Sequence, residues 1–266
     1  PALAAPGPLP GDPAARRPAA ATGAGTAAAG GARTALPPAQ GHVAAEVHWL
    51  PIPREEAVDR YVERLLAGRR DWLQLVLDRS RQYSGFIDEQ LRRRGLPREL
   101  AFLPALESGF QPRALSHKGA AGLWQLMRNT SAPYGLRTDH WLDERRDFWK
   151  ATEASLSKLA ENHRRFGDWD LALAAYNCGA GRLSHIVRRN PGLDYWGLRA
   201  KGVLPRETAA FVPQFMALAR VLGHPGRYGL TRGWDPSPRW VRVPVEGSVD
   251  LRILSRESGV PFEVLA

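Results

Sequence analysis

Cysteine is almost missing from the 266-residue chain: Cys178 is the only one. No disulfide can close within the chain, and no cysteine-based metal site can form. The seven histidines are scattered and none forms a His-x-x-x-His pair, so neither a metal nor another cofactor is expected. No run of about 18 apolar residues occurs, which excludes a membrane-spanning helix of the ordinary kind. Aromatic residues are absent from residues 1–45, a stretch of Ala, Pro and Gly. Such a segment buries too little surface to offset its ordering entropy and is expected to be a disordered tether. Acidic residues are also missing where they would matter: after Glu107 the next carboxylate is Asp139.

Lys and Arg number 37 against 27 Asp and Glu, a net charge of +10, which favours an anionic partner. No block of basic residues reaches the length of a nucleic-acid tail and no nucleic-acid-binding motif is present, so nucleic acid is not the expected partner. Hydrophobic residues make up 44% of the chain, enough for one sizeable core.

Helical periodicity dominates from about residue 50 to 230. It predicts helices over 55–66, 72–79, 85–94, 125–130, 147–166, 169–176, 182–189 and 206–222, and one from Pro97 to Glu107 that Pro104 should bend. The body is therefore expected to be all-α, spanning 46–232. Residues 233–266 change character, with a β-like Trp240-Val-Arg-Val-Pro-Val segment followed by a short helix near 249–257. This α/β segment is either a packing arm or the start of a small wall-binding module, to which it bears a weak LysM-like resemblance.

The stretch with chemical content begins at Glu107. Leu100 to Leu106 carries no polar side chain, and Leu100, Leu103 and Glu107 fall close to one helical line. A carboxyl on an apolar face is driven toward its neutral form, which is what a general acid near neutral pH requires. Glu107 is then either that acid or a structural carboxylate paired with an arginine. The next loop, Gly119-Ala-Ala-Gly-Leu-Trp-Gln-Leu-Met127, combines glycines with an aromatic face at Trp124 and an amide at Gln125. Aromatic faces and amides are how proteins hold sugars, although Trp124 can equally be core.

Glu-Ser-Gly-Phe-x-Pro-x-Ala-x-Ser from Glu107 to Ser116, Gly-Ala-x-Gly-Leu-Trp-Gln-x-Met-x-x-Thr ending at Thr130, and Ala174-Ala-Tyr-Asn-Cys-Gly179 resemble the motifs of bacterial lytic transglycosylases with the SLT, goose-lysozyme-like, domain. Asp143-Glu-Arg-Arg-Asp147 and Leu204-Pro-Arg-Glu-Thr208 with Phe211-Val-Pro213 resemble the membrane-bound lytic murein transglycosylase D branch. The resemblance covers about Trp72 to Tyr228. It implies a lysozyme-like helical domain and non-hydrolytic cleavage of peptidoglycan glycan strands, with Glu107 acting first as acid and then as base. The second carboxylate of an ordinary glycosidase would be replaced by the 2-acetamido group of N-acetylmuramic acid. It also implies substrate-binding roles for Ser116, Gln125, Met127, Tyr134, Tyr176 and Asn177. Ser116 as a plain loop residue and Met127 as plain core are the alternatives. Residues 143–147 are expected to form a structural salt-bridge cluster. Where the family often has Met-Pro-x-Thr, this chain has Met127-Arg-Asn-Thr130. A hydrolytic muramidase and a non-catalytic peptidoglycan-binding protein are the competing functions. The expected setting is the periplasm or outer membrane, as a monomer, with membrane attachment through an anchor ahead of Pro1 permitted.

Overall fold

The computed structural model describes residues 50, 52–53, 55–231, 234–235 and 247–265. The expected tether over 1–45 and the β-like segment at 240–245 lie outside the described residues. Among the described residues there is no strand, only isolated bridges pairing Leu115 with Ala121, Ala121 with Leu126 and Thr138 with Asp143. The body is all-α and lysozyme-like, as the periodicity and the resemblance indicate.

Helices α1 (Glu56–Gly68), α2 (Arg70–Ser80) and α3 (Ser84–Arg93) come first, and α1 packs on α2. The segment expected as one bent helix is in fact two. A 3-10 turn, Arg98–Phe102, runs into the short helix α4, Leu103–Ser108. Pro104 therefore stands in the first turn of α4, where its missing N–H costs nothing, and not at an internal kink. The helix expected over 125–130 starts later, as α5 (Arg128–Ser131), because Gln125 is left-handed and Leu126 is paired with Ala121.

The long helix α6 (Phe148–Phe166) is capped by Asp147, whose side chain accepts from the amides of Trp149 and Lys150 at 2.9 and 3.1 Å. Asp147 thus serves as a helix cap, while the ion pairs expected around it centre on Asp143. Truncating it, Asp147→Ala, should cost about 1 kcal/mol, read as a lowered thermal midpoint.

Helix α7 (Trp169–Cys178) packs along α6 and is followed by α8 (Ala180–Arg189). Periodicity misses α9 (Tyr195–Ala200), which is short and contains Gly197. Its role is visible beside α10 (Arg206–Gly223). Pro213 inside α10 has no N–H for the carbonyl of Ala209, one turn back. The Tyr195 hydroxyl and Arg199 Nε of α9 donate to that carbonyl at 3.0 and 2.9 Å.

Helix α10 is the spine, packing against α1, α7, α4 and the 3-10 turn before it. Trp234 folds back on the body: its ring meets Phe102 and Phe110, and its Nε1 donates to Asp88 at 2.9 Å. Farther on, α11 (Leu251–Ser258) and α12 (Phe262–Leu265) pack on each other.

Candidate active site

Helix α4 ends at the site. Gly109 and Phe110 take consecutive left-handed conformations, with φ of 60° and 57°, and turn the chain sharply after Glu107. A left-handed phenylalanine is uncommon and persists only where surrounding packing dictates it. Here the Phe110 ring is fully buried and stacks on Tyr83. Ser108, also buried, donates to the Leu123 carbonyl at 2.8 Å and accepts from the Gln111 amide at 3.1 Å. That hydroxyl ties the helix carrying Glu107 to the loop that follows it.

The loop is held from behind by Arg145. Only 2% of its side chain is exposed; it grips both oxygens of Asp143 at 2.8 Å and donates to the carbonyls of Gly119 and Leu126 at 2.7 and 2.9 Å. A planar guanidinium with five donors suits this multidentate task. Gly122, at φ 80°, lets the loop backbone lie directly on the Arg145 carbonyl. Trp124 is core: its side chain is fully buried and its Nε1 donates to Thr152 of α6 at 2.9 Å.

Glu107 is half-buried and keeps a face open to solvent. Among the described residues no hydrogen bond or ion pair reaches its carboxylate, so it is not the arginine-paired structural acid. Burial pushes its carboxyl up to about 8; the ammonium of Lys158 pulls it back, and the carboxylate of Glu207 adds to the rise. Three helices thus set its state: α4 carries it, α6 presents Lys158, and the first turn of α10 presents Glu207.

The six residues with expected binding roles fall in three places. Ser116, Gln125 and Met127 lie on the motif loop. Ser116 Oγ accepts from the Ala120 amide at 3.0 Å, and Met127 is exposed. Gln125, at φ 48°, spends its amide nitrogen on the carbonyls of Gly122 (2.9 Å) and Ala114 (3.5 Å). Tyr176 and Asn177 close α7. Tyr176 is buried and its hydroxyl donates to the Trp124 carbonyl at 2.8 Å, with Ser155 Oγ 3.2 Å away; burial and the neighbouring Glu107 charge push its phenol well up. Asn177 Oδ1 accepts from Thr208 at 2.7 Å. Tyr134, in the 3-10 turn Ala132–Tyr134, is half-buried and donates to Glu161 at 2.6 Å.

Motif matching assigned no role to Lys158, Glu207 or Lys118. Lys158 lies on the buried face of α6, and a lysine in that register is the signal that marks it. Lys118 of the motif loop reaches Glu207 at 3.0 Å, an exposed bridge to α10. Among the described residues no group of three or more His, Cys, Asp or Glu side chains is arranged to hold a metal ion.

The profile of the transglycosylase SLT domain matches residues 84–198, the stretch from α3 through α9. This part of the chain belongs to the SLT domain family. The chain is 33% identical over 220 residues to the membrane-bound lytic murein transglycosylase D of Escherichia coli, covering 80% of the chain and 48% of that relative. It is 28% identical over 178 residues to membrane-bound lytic murein transglycosylase F 1 of Alkalilimnicola ehrlichii, covering 64% and 33% respectively. A third match, at 36% over 97 residues, is the transglycosylase F of Desulfosudis oleivorans, over 33% of the chain and 20% of the relative. The chain thus spans about half the length of the E. coli relative. The SLT match encloses Glu107 and every residue expected to bind substrate. The relatives are named as membrane-bound, while no described helix here is long and apolar enough to cross a membrane.

Proposed function

We propose that this chain is a lytic transglycosylase that cleaves the glycan strands of peptidoglycan at the bond from N-acetylmuramic acid to N-acetylglucosamine. The observation that carries the proposal is Glu107: a half-buried residue, free of ion pairs among the described residues, whose carboxyl holds its proton up to about 8. At neutral pH such a group is mostly protonated and able to donate. Glu107 gives its proton to the glycosidic oxygen as the bond to C1 breaks. The sugar's 2-acetamido group stabilises C1, a substrate-assisted route that needs no second protein carboxylate. Glu107, now ionised, takes the proton of the 6-hydroxyl as that oxygen bonds to C1. A 1,6-anhydro end forms, no water is consumed, and Glu107 is again protonated.

The groups left over in the site suit this substrate. The Ser116 hydroxyl proton, the Gln125 side-chain carbonyl and the Asn177 amide nitrogen have no partner among the described residues, and they offer two donors and one acceptor to sugar hydroxyls and acetamides. Met127 offers an exposed apolar surface beside them. Tyr176 acts by holding the Trp124 backbone and Tyr134 by bracing its turn against α6, so both support the site through other residues. The net charge of +10 favours the anionic wall. That relatives are named as membrane-bound supports work in the cell envelope.

Mass spectrometry of purified sacculi digested by the protein tests the proposal. Muropeptides ending in 1,6-anhydro-N-acetylmuramic acid are expected; reducing ends would mean a hydrolytic muramidase, and undigested sacculi would mean a binding protein.

A further inference from the structure

Lys158 stands on α6 among Ala151, Ser155, Leu159 and Asn162, the face of that helix turned into the core. An ammonium is rarely placed in such a register, because desolvation disfavours its charge. Two contacts keep it in position. Its Nζ donates to the Tyr176 carbonyl at 3.0 Å and lies 4.0 Å from the centroid of the Tyr176 ring. Tyr176 is in turn fixed to the Trp124 carbonyl, in the loop that follows Glu107. The ammonium is therefore held in a set place against α7, and it acts on the Glu107 charge without forming a direct ion pair among the described residues.

We propose that Lys158 is a positioning residue for the reaction, its fixed ammonium serving as the counter-charge for the ionised Glu107 carboxylate between the two proton transfers. The inference rests on Glu107 being the proton carrier. Between the transfers, Glu107 bears a negative charge in apolar surroundings, and the carboxylate of Glu207 opposes it. Lys158 is the cation that favours that charge, and Glu107 in turn favours the charge of Lys158, which burial otherwise pushes toward neutrality. A direct bridge would fix Glu107 in its ionised form and remove the acid. Coupling at longer range leaves the proton on Glu107 for the first step while easing its departure. The other groups facing this cluster are Tyr176 and Cys178 on α7, Arg182 on α8 beside Cys178, Tyr134 near Tyr176, and Lys118, which is engaged with Glu207. None of them supplies a second cation to Glu107.

The test is the pH profile of kcat/KM for murein cleavage, measured on the full chain as wild type, Lys158→Met and Lys158→Arg, with Glu107→Gln as the control. Removing the cation makes Glu107 hold its proton to higher pH. In Lys158→Met the alkaline limb should therefore move up by about one pH unit, while the plateau rate falls about tenfold or more. Lys158→Arg should keep the limb close to wild type. If Lys158→Met fails to fold, Lys158→Gln retains a donor for the Tyr176 carbonyl without the charge, and the same upward shift is expected. A limb that stays in place in the neutral variants, with Glu107→Gln inactive, would make Lys158 a packing residue and overturn the inference alone. An active Glu107→Gln would remove the proton carrier and both proposals with it.

Discussion

Glu107→Gln is expected to abolish murein cleavage while making the protein more stable at mildly alkaline pH. The loss of activity should reach at least about 10³-fold, because one group serves as acid in the first step and base in the second. The stability change follows from the same burial. In the unfolded chain the carboxyl ionises near 4.5; in the folded protein it holds its proton up to about 8. Between those values the folded state binds the proton and the unfolded state has released it. Stability from this group is therefore fully present below about 4.5 and is lost as pH rises through about 8. A shift of this size corresponds to a few kcal/mol. Glutamine keeps the shape and never ionises, so the slope should vanish. Thermal melts at pH 5 and pH 8 give the measurement: the variant should gain on the wild type mainly at pH 8. Asp170, which burial chiefly raises to about 6, contributes a smaller slope of the same sign in both proteins and cancels in the comparison. A variant that is less stable at both pH values would show that the carboxylate supports the fold, and its value as a proton carrier would be in doubt.

The legible parts of this molecule are those written as period and punctuation. α6 and α7 follow from apolar spacing bounded by Asp147, Gly167 and Asp168. The motif loop was recognisable because glycine, tryptophan and glutamine recur there at fixed spacing. What escaped depends on tertiary contact. Pro104 reads as a kink because one apolar run spans it; the chain instead changes helix type just ahead of it. Gln125 read as helix because nothing in its identity announces a left-handed residue, which is imposed by its ties to Gly122 and Ala114. α9 was invisible because its reason to exist lies at Pro213, far along the sequence, whose missing N–H frees the Ala209 carbonyl that α9 takes up. Trp124 offered two equal meanings, platform and core, until Thr152 was seen on its indole nitrogen. Lys158 shows the limit most directly. Its register on α6 was countable, but that its charge acts on Glu107 depends on how α4, α6 and α7 meet.

Gly122→Ala should be the most damaging substitution outside Glu107. A methyl group at that position would stand 1.9 Å from the Arg145 carbonyl oxygen and 2.8 Å from its carbon, with backbone φ already at 80°. Flexible side chains yield to such a clash; here the obstacle is backbone. It is also backbone that cannot retreat, because the Arg145 side chain is anchored to Asp143, Gly119 and Leu126. The loop must lift away from Arg145 or the residues behind it must shift, and either breaks buried hydrogen bonds. A loss of about 3 kcal/mol is expected, equivalent to roughly 6–12 °C in the melting midpoint for a domain of this size. Activity should fall further than stability alone explains, since the displaced segment carries Gln125 and, through Leu123, the carbonyl that Ser108 uses to hold α4. Gly119→Ala is the matching control. Its φ of 84° carries the same backbone strain, but nothing lies within 4 Å of the added carbon. It should cost only about 1 kcal/mol. Equal effects from the two variants would mean that Arg145 does not clamp the loop, and that Glu107 is aimed by α4 alone.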